Sequence, residues 1–460
     1  MRRRFLLQAG LGWAARASWE RIAIRAGEPV FLLAEDALED HWKVRRRLVR
    51  PERPAKPVIV KDRPWEGMGP YLYGSVLRDP ADNLWKCWYT IHDPARYRAR
   101  QPWAYRIGYA TSADGREWVK PELGLVEHGG DRRNNLIPIG TRMSEAIDVC
   151  LAPPDSNAPA RYLGVTLDRG IHLWLSDDGV RWWPHGPGEI EPRHSDTHNS
   201  LCWDPVRRRW LVHLRPPVHA GERAKRRIAV MESADLRTWS RPVTVLRPDE
   251  SDPPEFYSMP VFRRGNLFFG LLHVYDRRRE SIEVELAYSQ DGHYWHRLPG
   301  HPVYLATGAA GAFDSRMVTT ADEMVFDGDR MILYYGGWNG NHRSDTREAA
   351  IGAATGIRDR FIAWDAGTDE PGFLLTRVCT IEAGRLWVNA EVRGELRAAI
   401  TDEEGTPIRG FDFAQCRPVS GDSTRHELAW REAAAGAVRG RLVRLRVQMR
   451  DASFYALGAD

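Results

Sequence analysis

The sequence has few cysteines and no long hydrophobic run. Its 460 residues include five cysteines, an odd number, without a CxxC pair or a zinc-type Cys/His spacing. Cys87, Cys150 and Cys202 lie in apolar strand-like runs, which favours buried thiols, whereas the spacing leaves pairing of Cys379 with Cys416 open. No segment reaches the roughly 20 apolar residues of a membrane-spanning helix. The sequence therefore predicts no disulfide framework, no zinc site and no membrane span.

Charge of one sign is also scarce. The formal net charge is only +4, and the arginines form short clusters at 45–47, 207–209 and 277–279 instead of one stripe. Domains that bind nucleic acid concentrate their basic residues on one face. We therefore expect no nucleic-acid partner and interpret the clusters as solvated turns. Walker-type glycine loops, HExxH and GxSxG are absent as well.

The N-terminus carries a short motif that bears on location. Residues 2–7, Arg-Arg-Arg-Phe-Leu-Leu, resemble a twin-arginine export motif, and Ala15-Arg16-Ala17 resembles a cleavage site. The apolar stretch between them is brief and Arg16 interrupts its end. Residues 1–24 are predicted to be a signal or an N-terminal tail, with export and a cytoplasmic location equally supported.

Tryptophan is abundant, with 19 residues beside 40 glycines and 30 prolines. Four tryptophans end the pattern S-x-D-[GL]-x-x-W, which occupies 112–118, 176–182, 233–239 and 289–295. Ser and Asp side chains bond nearby backbone amides in turns, Gly accepts positive φ, and Trp can pack back across the hairpin. A specific turn repeated at this spacing is typical of β-propeller blades. A looser fifth copy is expected from Thr355-Gly356 to Trp364.

Each unit also contains two strand-like runs joined by a polar turn. The pairs are 71–77 with 84–90, 148–152 with 161–166, 200–203 with 209–215, 257–262 with 267–275, and 317–326 with 331–336. With the hairpin at the repeated turn, each unit has four strands, and helical periodicity is almost absent. We predict an all-β chain: a five-bladed β-propeller over 25–370, followed by a β-sandwich over 371–460.

The C-terminal region resembles a known family. The segments 400–402, 405–411, Trp430, 443–446 and 454–456 look like the sandwich of invertase- and levanase-type glycoside hydrolases of family 32. The repeated turns resemble blades of that family and of family 43. The resemblance implies a carbohydrate-active propeller with carboxylate chemistry in a central cavity.

Three departures separate the chain from an invertase. The Trp-x-Asn-Asp-Pro-Asn-Gly motif of family 32 is absent, and Pro64-Trp65-Glu66-Gly67 stands before the first inner strand instead. Arg78-Asp79-Pro80 matches the family's Arg-Asp-Pro but sits in a turn between two strands, and the Glu-Cys-Pro motif has only a loose analogue in Glu255-Phe256-Tyr257. The chain resembles a divergent branch of the superfamily.

Acidic residues stand near the start of every predicted inner strand. They are Glu66, Glu145 with Asp148, Asp196, Asp252 with Glu255, and Asp314. Any one such acid is more often a cap or a solvated loop group. Inner strands begin around one cavity, however, so acids in five matching positions would meet and raise one another's pKa. Glycoside hydrolysis needs two such carboxyl groups, one acid and one nucleophile or base.

The roles can be ranked from local sequence. Glu255 is the predicted general acid, because its aromatic neighbours would desolvate it, and Asp196 is the predicted nucleophile or base. Asp314 would orient the others, together with Arg316. Glu66 and Asp148 complete the set of catalytic candidates.

Other residues are candidates for substrate binding. Trp65, Tyr257 and Trp338 could stack on sugar faces, although core packing is the usual role of any single tryptophan. His198 and Asn199 open the third inner strand. His198 either contacts a central ion or water or is a hydrogen-bonded loop residue. No cofactor is expected, and a central structural ion is left open.

The sequence thus predicts a glycosidase acting on an oligo- or polysaccharide. Two alternatives stay open: a non-catalytic carbohydrate-binding propeller, since the family's catalytic motifs are missing, and a glycoside phosphorylase. The second would need a basic phosphate site, for which Arg316 and Arg343 are the candidates.

Overall fold

The computed structural model describes residues 21–460 except 35, 141–144, 169, 194, 197 and 217–224. The export-like motif lies outside the described residues. The chain divides into two compact units, one made of residues up to 49 with 264–267 and 357–460, the other of 50–263 and 268–356. This division differs from the predicted boundaries, since 25–49 and 357–370 belong with the C-terminal region. The reason is strand pairing, described below. The first unit begins with three strands: β1 (Ile22–Ile24), β2 (Leu38–Trp42) and β3 (Val44–Leu48).

The first three blades of the propeller are antiparallel sheets, with the predicted four strands in the second and third and a fifth short strand in the first. The first contains β4 (Pro70–Arg78), β5 (Trp85–His92), β6 (Tyr105–Ser112) and β7 (Trp118–Val119), with β8 (Leu136–Ile137) beside β6. The second contains β9 (Ile147–Leu151), β10 (Tyr162–Asp168), β11 (Gly170–Ser176) and β12 (Trp183–Glu191). The third contains β13 (Ser200–Asp204), β14 (Arg209–Leu214), β15 (Ile228–Ser233) and β16 (Val243–Leu246). A short helix, α1 (Pro94–Arg98), follows β5 and is N-capped by Asp93.

The last two blades share one sheet through a single parallel pairing of Ile282 with Met317. The fourth contains β17 (Phe256–Ser258), β18 (Val261–Arg264), β19 (Leu267–Asp276), β20 (Ser281–Ser289), β21 (Trp295–Arg297) and β22 (Val303–Leu305). The fifth contains β23 (Met317–Thr320), β24 (Val325–Asp327), β25 (Arg330–Trp338) and β26 (Ala349–Ile357). The all-β, five-bladed prediction is confirmed.

The repeated turns form as their sequence predicts. In the first, Ser112 Oγ accepts the Gly115 amide at 2.9 Å, and Asp114 accepts the amides of Arg116 and Glu117 at 2.8 and 2.9 Å. The same aspartate contacts recur at 178, 235 and 291. These bonds satisfy amides that no strand partner would reach.

Three of these turns also bind the neighbouring blade. In each, the carbonyl of the turn glycine accepts a bond from a side chain on the second strand of the blade before it. The pairs are Gly115 with Tyr334 at 2.6 Å, Gly179 with Trp88 at 2.6 Å and Gly292 with His213 at 2.9 Å. A Cβ at Gly179 would meet the Trp88 ring at 2.7 Å, so glycine serves close approach as well as its positive φ of 77°. The turns therefore join blades.

The inner strands follow one another around a ring. β4 contacts β9, and β9 contacts β13. The Val261 amide of the fourth blade bonds Ser200 Oγ of the third at 2.9 Å. β23 and β25 of the fifth blade contact β4 of the first. The contacts thus pass through all five blades and return to the first.

The outer edge of the fifth blade comes from the start of this unit. Glu52 and Thr355 exchange backbone hydrogen bonds of 2.7 and 2.8 Å, and the Ile351 amide donates to the Ile59 carbonyl at 2.9 Å. The fifth turn expected from Thr355-Gly356 to Trp364 was wrong. Thr355 lies within β26, and Trp364 is buried in the other unit, where its Nε1 donates to the Leu32 carbonyl at 2.7 Å. Segment 52–59 takes the place that this turn would have supplied.

The sandwich unit is built on two long strands. Its C-terminal part contains β27 (Ile362–Ala366), β28 (Gly372–Thr376), β29 (Cys379–Ile381), β30 (Leu386–Asp402), β31 (Val419–Leu428) and β32 (Leu442–Ala459), with a 3₁₀ turn at Ala435–Val438. β30 pairs with β32 along nearly its whole length. β1 pairs with β29, β2 with β28 and β3 with β27. These pairings explain why residues 22–48 belong to this unit and not to the propeller.

The sandwich strands bury a single apolar core, which includes Trp364, Leu396, Val447 and Phe454. All five cysteines are free thiols, so Cys379 and Cys416 do not pair. Within the described part of the chain, no helix is long and apolar enough to cross a membrane.

Candidate active site

Polar side chains from four blades meet at the centre of the ring. We call this buried group the axial network; it consists of Ser75, Asp148, His198 and Asp322. Ser75 Oγ and His198 Nε2 both hydrogen-bond the Asp322 carboxylate. The four residues lie in or next to the inner strands of four different blades, so their hydrogen bonds cross the centre of the ring.

Burial controls the protonation of the axial network. It raises the pKa of Asp148 and Asp322 well above the usual range, and the charge of Asp322 raises that of Asp148 further. The Leu201 amide donates to Asp148 at 2.7 Å. Burial also lowers the pKa of His198 to about 4, so its ring is neutral at pH 7. The network is a buried set of hydrogen-bonded polar groups, which suits a structural or positioning role.

A second group lies around the start of the inner strands; we call it the mouth. Its two carboxyl groups are Glu145 and Asp196. Burial, reinforced by the charge of Asp196, raises the pKa of Glu145 to about 7. Asp196 forms an ion pair with the buried Arg215. The Arg215 guanidinium also donates to the Tyr257 carbonyl and stacks 4.9 Å from the Tyr257 ring centroid. Two nearby carboxyl groups are thus held in different environments.

Aromatic rings form one wall of the mouth. The Tyr71 ring lies 4.6 Å from that of Trp338 and 5.0 Å from that of Tyr73. Tyr73 in turn lies 6.2 Å from Tyr257 and 5.9 Å from His198, which links the mouth to the axial network. Trp338 is buried and packed, and Tyr71, which sequence reasoning did not single out, lies beside it.

Glu255, the predicted acid, lies next to the mouth and is ion-paired. Its carboxylate contacts Arg226 at 3.0 Å and also Arg277. The Arg226 guanidinium lies 5.5 Å from the centroid of the Tyr257 ring. Tyr257 follows Glu255 by two residues in the chain. Two guanidinium groups surround Glu255 where we expected only aromatic neighbours, so it suits orientation or binding better than proton donation.

Glu66 and Asp314 bind partners that belong to neither group. Glu66 is buried and accepts bonds from Tyr89 at 2.8 Å and Lys120 at 2.6 Å. Asp314 accepts from Tyr335 at 2.9 Å and Arg53 at 3.1 Å. Each therefore pairs with a second-strand tyrosine of its own blade and with one cation. These contacts lie within the first and the fifth blade, respectively.

Some of the remaining predicted binding residues have contacts outside the mouth and the axial network, and others lie in or beside these two groups. Trp65 packs on the core of the first blade, with Nε1 donating to Asn135 at 2.9 Å. Asn199 is buried and accepts from Ser195 at 2.9 Å. Arg316 is exposed. Of the predicted binding residues, Tyr257, Trp338 and His198 lie in or beside the central groups.

Several central residues were missed by sequence reasoning. Glu145 was noted at its strand start but was given no role. Asp322 follows its inner strand, and only strand starts had been searched. Arg215, at the end of the second strand of its blade, had no sequence signal of its own. Arg215 directly follows β14, and this strand brings its guanidinium to Asp196.

One group of potential metal ligands occurs among the described residues: Asp249, Asp252 and His301. The Arg297 guanidinium donates to both carboxylate oxygens of Asp252 at 2.7 Å and so supplies the positive charge that a metal ion would otherwise supply. In the axial network, the side chains of His198 and Ser75 hydrogen-bond Asp322 instead of converging on one open point. A central structural ion remains a prediction.

No protein-family model matches the sequence, and no curated protein matches it either. Among solved structures, the chain is similar to an N-acetylgalactosamine deacetylase from F. plautii in complex with blood group B trisaccharide, at 17% identity and a TM-score of 0.49, over 69% of this chain and 96% of that one. It is similar to a β-1,2-mannobiose phosphorylase from Listeria innocua at 13% identity and a TM-score of 0.49, over 67% of this chain and 97% of that one. It is also similar to the catalytic domain of a Coprinopsis cinerea family 62 α-L-arabinofuranosidase at 13% identity and a TM-score of 0.46, over 68% of this chain and 98% of that one.

Proposed function

We propose that the propeller unit is a glycosidase whose reaction takes place at the mouth. The observation that carries the proposal is the contrast between Glu145, whose pKa is raised to about 7, and Asp196, which is ion-paired with Arg215. A glycosidase needs one carboxyl group that keeps its proton at neutral pH and another that is ionised.

Glu145 is the proposed general acid. Its proton passes to the glycosidic oxygen as the bond between that oxygen and the anomeric carbon breaks. A pKa near 7 balances the protonated fraction against the driving force for transfer at neutral pH. This assignment replaces Glu255, which has two arginine partners.

Asp196 is the proposed nucleophile or base. It either bonds to the anomeric carbon, giving an intermediate that water then hydrolyses, or removes a proton from the attacking water. Arg215 fixes its orientation, because the guanidinium is itself held by the Tyr257 carbonyl. Separation of the two carboxyl groups in the substrate complex would select between these routes.

The aromatic wall supports the choice of substrate class. Sugar rings present apolar C–H faces that pack on aromatic rings. The Tyr257 ring stacks with Arg215, the ion-pair partner of Asp196, and the partly exposed Tyr73 beside it would pack on the face of a saccharide.

The test uses aryl glycosides that differ in leaving group. A panel of 4-nitrophenyl and unsubstituted phenyl glycosides would be assayed with the wild type and the variants Glu145→Gln and Asp196→Asn. 4-Nitrophenolate leaves with little protonation, so Glu145→Gln should lose much less activity on 4-nitrophenyl substrates than on phenyl ones. Asp196→Asn should lose activity on both. The exposed Glu127→Gln serves as the matched control.

The result would overturn the proposal if both variants kept wild-type rates on every substrate that the wild type cleaves. Absence of turnover by the wild type across the panel, with saccharides bound in calorimetry, would favour a non-catalytic carbohydrate-binding propeller instead.

A further inference from the structure

We propose that the mouth recognises an oxyanion on or beside its sugar, through Arg226, Arg347 and His342. The inference deepens the proposed function, because it names the class of substrate group that the same site would accept. It rests on three side chains that the glycosidase reaction described above does not use.

Arg347 supplies positive charge with no counter-ion. Its guanidinium stacks 4.2 Å from the Trp338 ring centroid. Among the described residues it has no ion pair, and its side-chain hydrogen bond is a long one to Met317 Sδ at 4.0 Å. Its Nε is buried without a hydrogen-bond acceptor. A buried donor on a charged group is costly unless an acceptor reaches it. An anionic ligand would provide that acceptor.

Arg226 adds a second donor of the same kind. It shares the single carboxylate of Glu255 with Arg277, so this trio carries an excess of positive charge. Nη1 of Arg226 is also buried and without an acceptor in the described structure. Since the ring of Tyr257 lies under Arg226, this donor borders the same mouth as Trp338 and Arg347.

His342 connects the two arginines. Its Nε2 lies 2.9 Å from the Tyr257 hydroxyl. Burial, with the charges of Arg347 and Arg226, lowers its pKa to about 4, while Asp196 acts weakly in the opposite direction. Arg226 stacks on the Tyr257 ring, which lies 5.4 Å from the His342 ring. Arg347 stacks on Trp338, and the ring contacts of Tyr71 and Tyr73 connect Trp338 to Tyr257. A neutral imidazole there can donate one hydrogen bond to an oxyanion.

Two sources can supply such an oxyanion. One is the carboxylate of a hexuronic acid residue within the glycan. The other is inorganic phosphate, whose oxygen would bond to the anomeric carbon while the glycosidic bond breaks and the Glu145 proton passes to the leaving oxygen. Guanidinium pairs bind carboxylate and phosphate through the same charge-assisted bonds.

Calorimetric titration with D-glucuronate, D-galacturonate, inorganic phosphate and D-glucose tests the inference. Wild-type protein should bind at least one of the anions, more weakly at high salt, and should bind glucose less well. Arg347→Gln and Arg226→Gln should weaken anion binding by about tenfold to a hundredfold and leave glucose unaffected. Arg347→Lys should retain part of the affinity. The exposed turn variant Arg116→Gln is the matched control.

Product analysis separates the two sources. Cleavage of aryl hexuronosides in preference to neutral glycosides, without any phosphate requirement, indicates a uronic acid. Appearance of a sugar 1-phosphate by ³¹P NMR when phosphate and a neutral glycoside are both present indicates phosphate.

The inference is overturned if glucose binds as tightly as the anions, or if Arg347→Gln and Arg116→Gln weaken anion binding equally. If neutral glycosides are hydrolysed fastest and no anion binds, the glycosidase proposal holds and the oxyanion proposal is wrong. If the anions bind as expected and no glycoside is cleaved, the oxyanion proposal holds and the glycosidase proposal is wrong.

Discussion

Two pairs of propeller carboxylates look alike in sequence and differ in structure. Glu66 and Asp314 stand just before inner strands, as Glu145 and Asp196 do. The first pair is held by tyrosine and cation partners within the blades. The second pair faces the mouth, where one member has a raised pKa and the other an arginine partner. All four stand just before an inner strand, and they differ in the partners that their side chains bind.

The largest expected effect concerns Asp196. Asp196→Asn should lower turnover by about 10³-fold or more, because the variant loses the ionised group of an acid–base pair. Thermal unfolding should shift to lower temperature as well, because the variant leaves the guanidinium of the buried Arg215 without its carboxylate partner, so turnover is compared per folded molecule. Rates and melting curves measured on the same preparation check this. A large loss of stability with rates per folded molecule preserved would place Asp196 with the scaffold carboxylates.

Glu66→Gln should give the opposite outcome. The change removes a fully buried charge from Lys120 and should cost about 3 kcal/mol of unfolding free energy. Turnover per folded molecule should be unchanged. Urea denaturation and active-site-normalised rates measure both quantities, with the exposed Glu127→Gln as control. A rate loss equal to that of Asp196→Asn, at normal stability, would contradict the division.

The pH dependence of activity should report Glu145. Because the acid must carry its proton, kcat/KM should fall about tenfold per pH unit above pH 7. The fall should disappear in Glu145→Gln. Raising the folded pKa from 4.5 to about 7 also means that the contribution of Glu145 to stability is complete below pH 4.5 and is lost as the pH rises through 7. Melting curves across the same range separate the two effects.

The smallest effect is expected at the repeated turns. Asp178→Ala removes an acceptor from the amides of Val180 and Arg181 and should cost about 1 kcal/mol. Although partial burial acts to raise it, the pKa of Asp178 is lowered by these amide bonds. Its contribution is therefore present above the unfolded pKa and lost as pH falls through the folded one. Chemical denaturation at pH 7 and pH 3 should show a smaller cost at pH 3; an equal cost would be contrary evidence.

The repeated turn made the blades predictable. Ser, Asp, Gly and Trp act within seven residues, so their hydrogen bonds can be inferred from local chemistry, and the strands on either side follow from alternation. The fifth blade escaped prediction because its outer edge is not local: residues 52–59 pair with β26.

The candidate site was less predictable, for a physical reason. Acids at strand starts could be listed from sequence, but which of them faces the mouth depends on side-chain partners in three dimensions. One sequence signal was available: Tyr89 and Tyr335 occupy equivalent second strands and bind Glu66 and Asp314. A tyrosine repeated in that position could have marked both acids as scaffold.

The pairing of segment 52–59 with β26 has a consequence for how the ring folds. The partners lie about 300 residues apart in the chain, so the entropy of closing this loop is spent before the final strand gains its hydrogen bonds. During synthesis, segment 52–59 leaves the ribosome before the five blades do, and it has no partner strand until β26 has been made. The earliest part of the propeller to leave the ribosome is thus the last to find its partner strand.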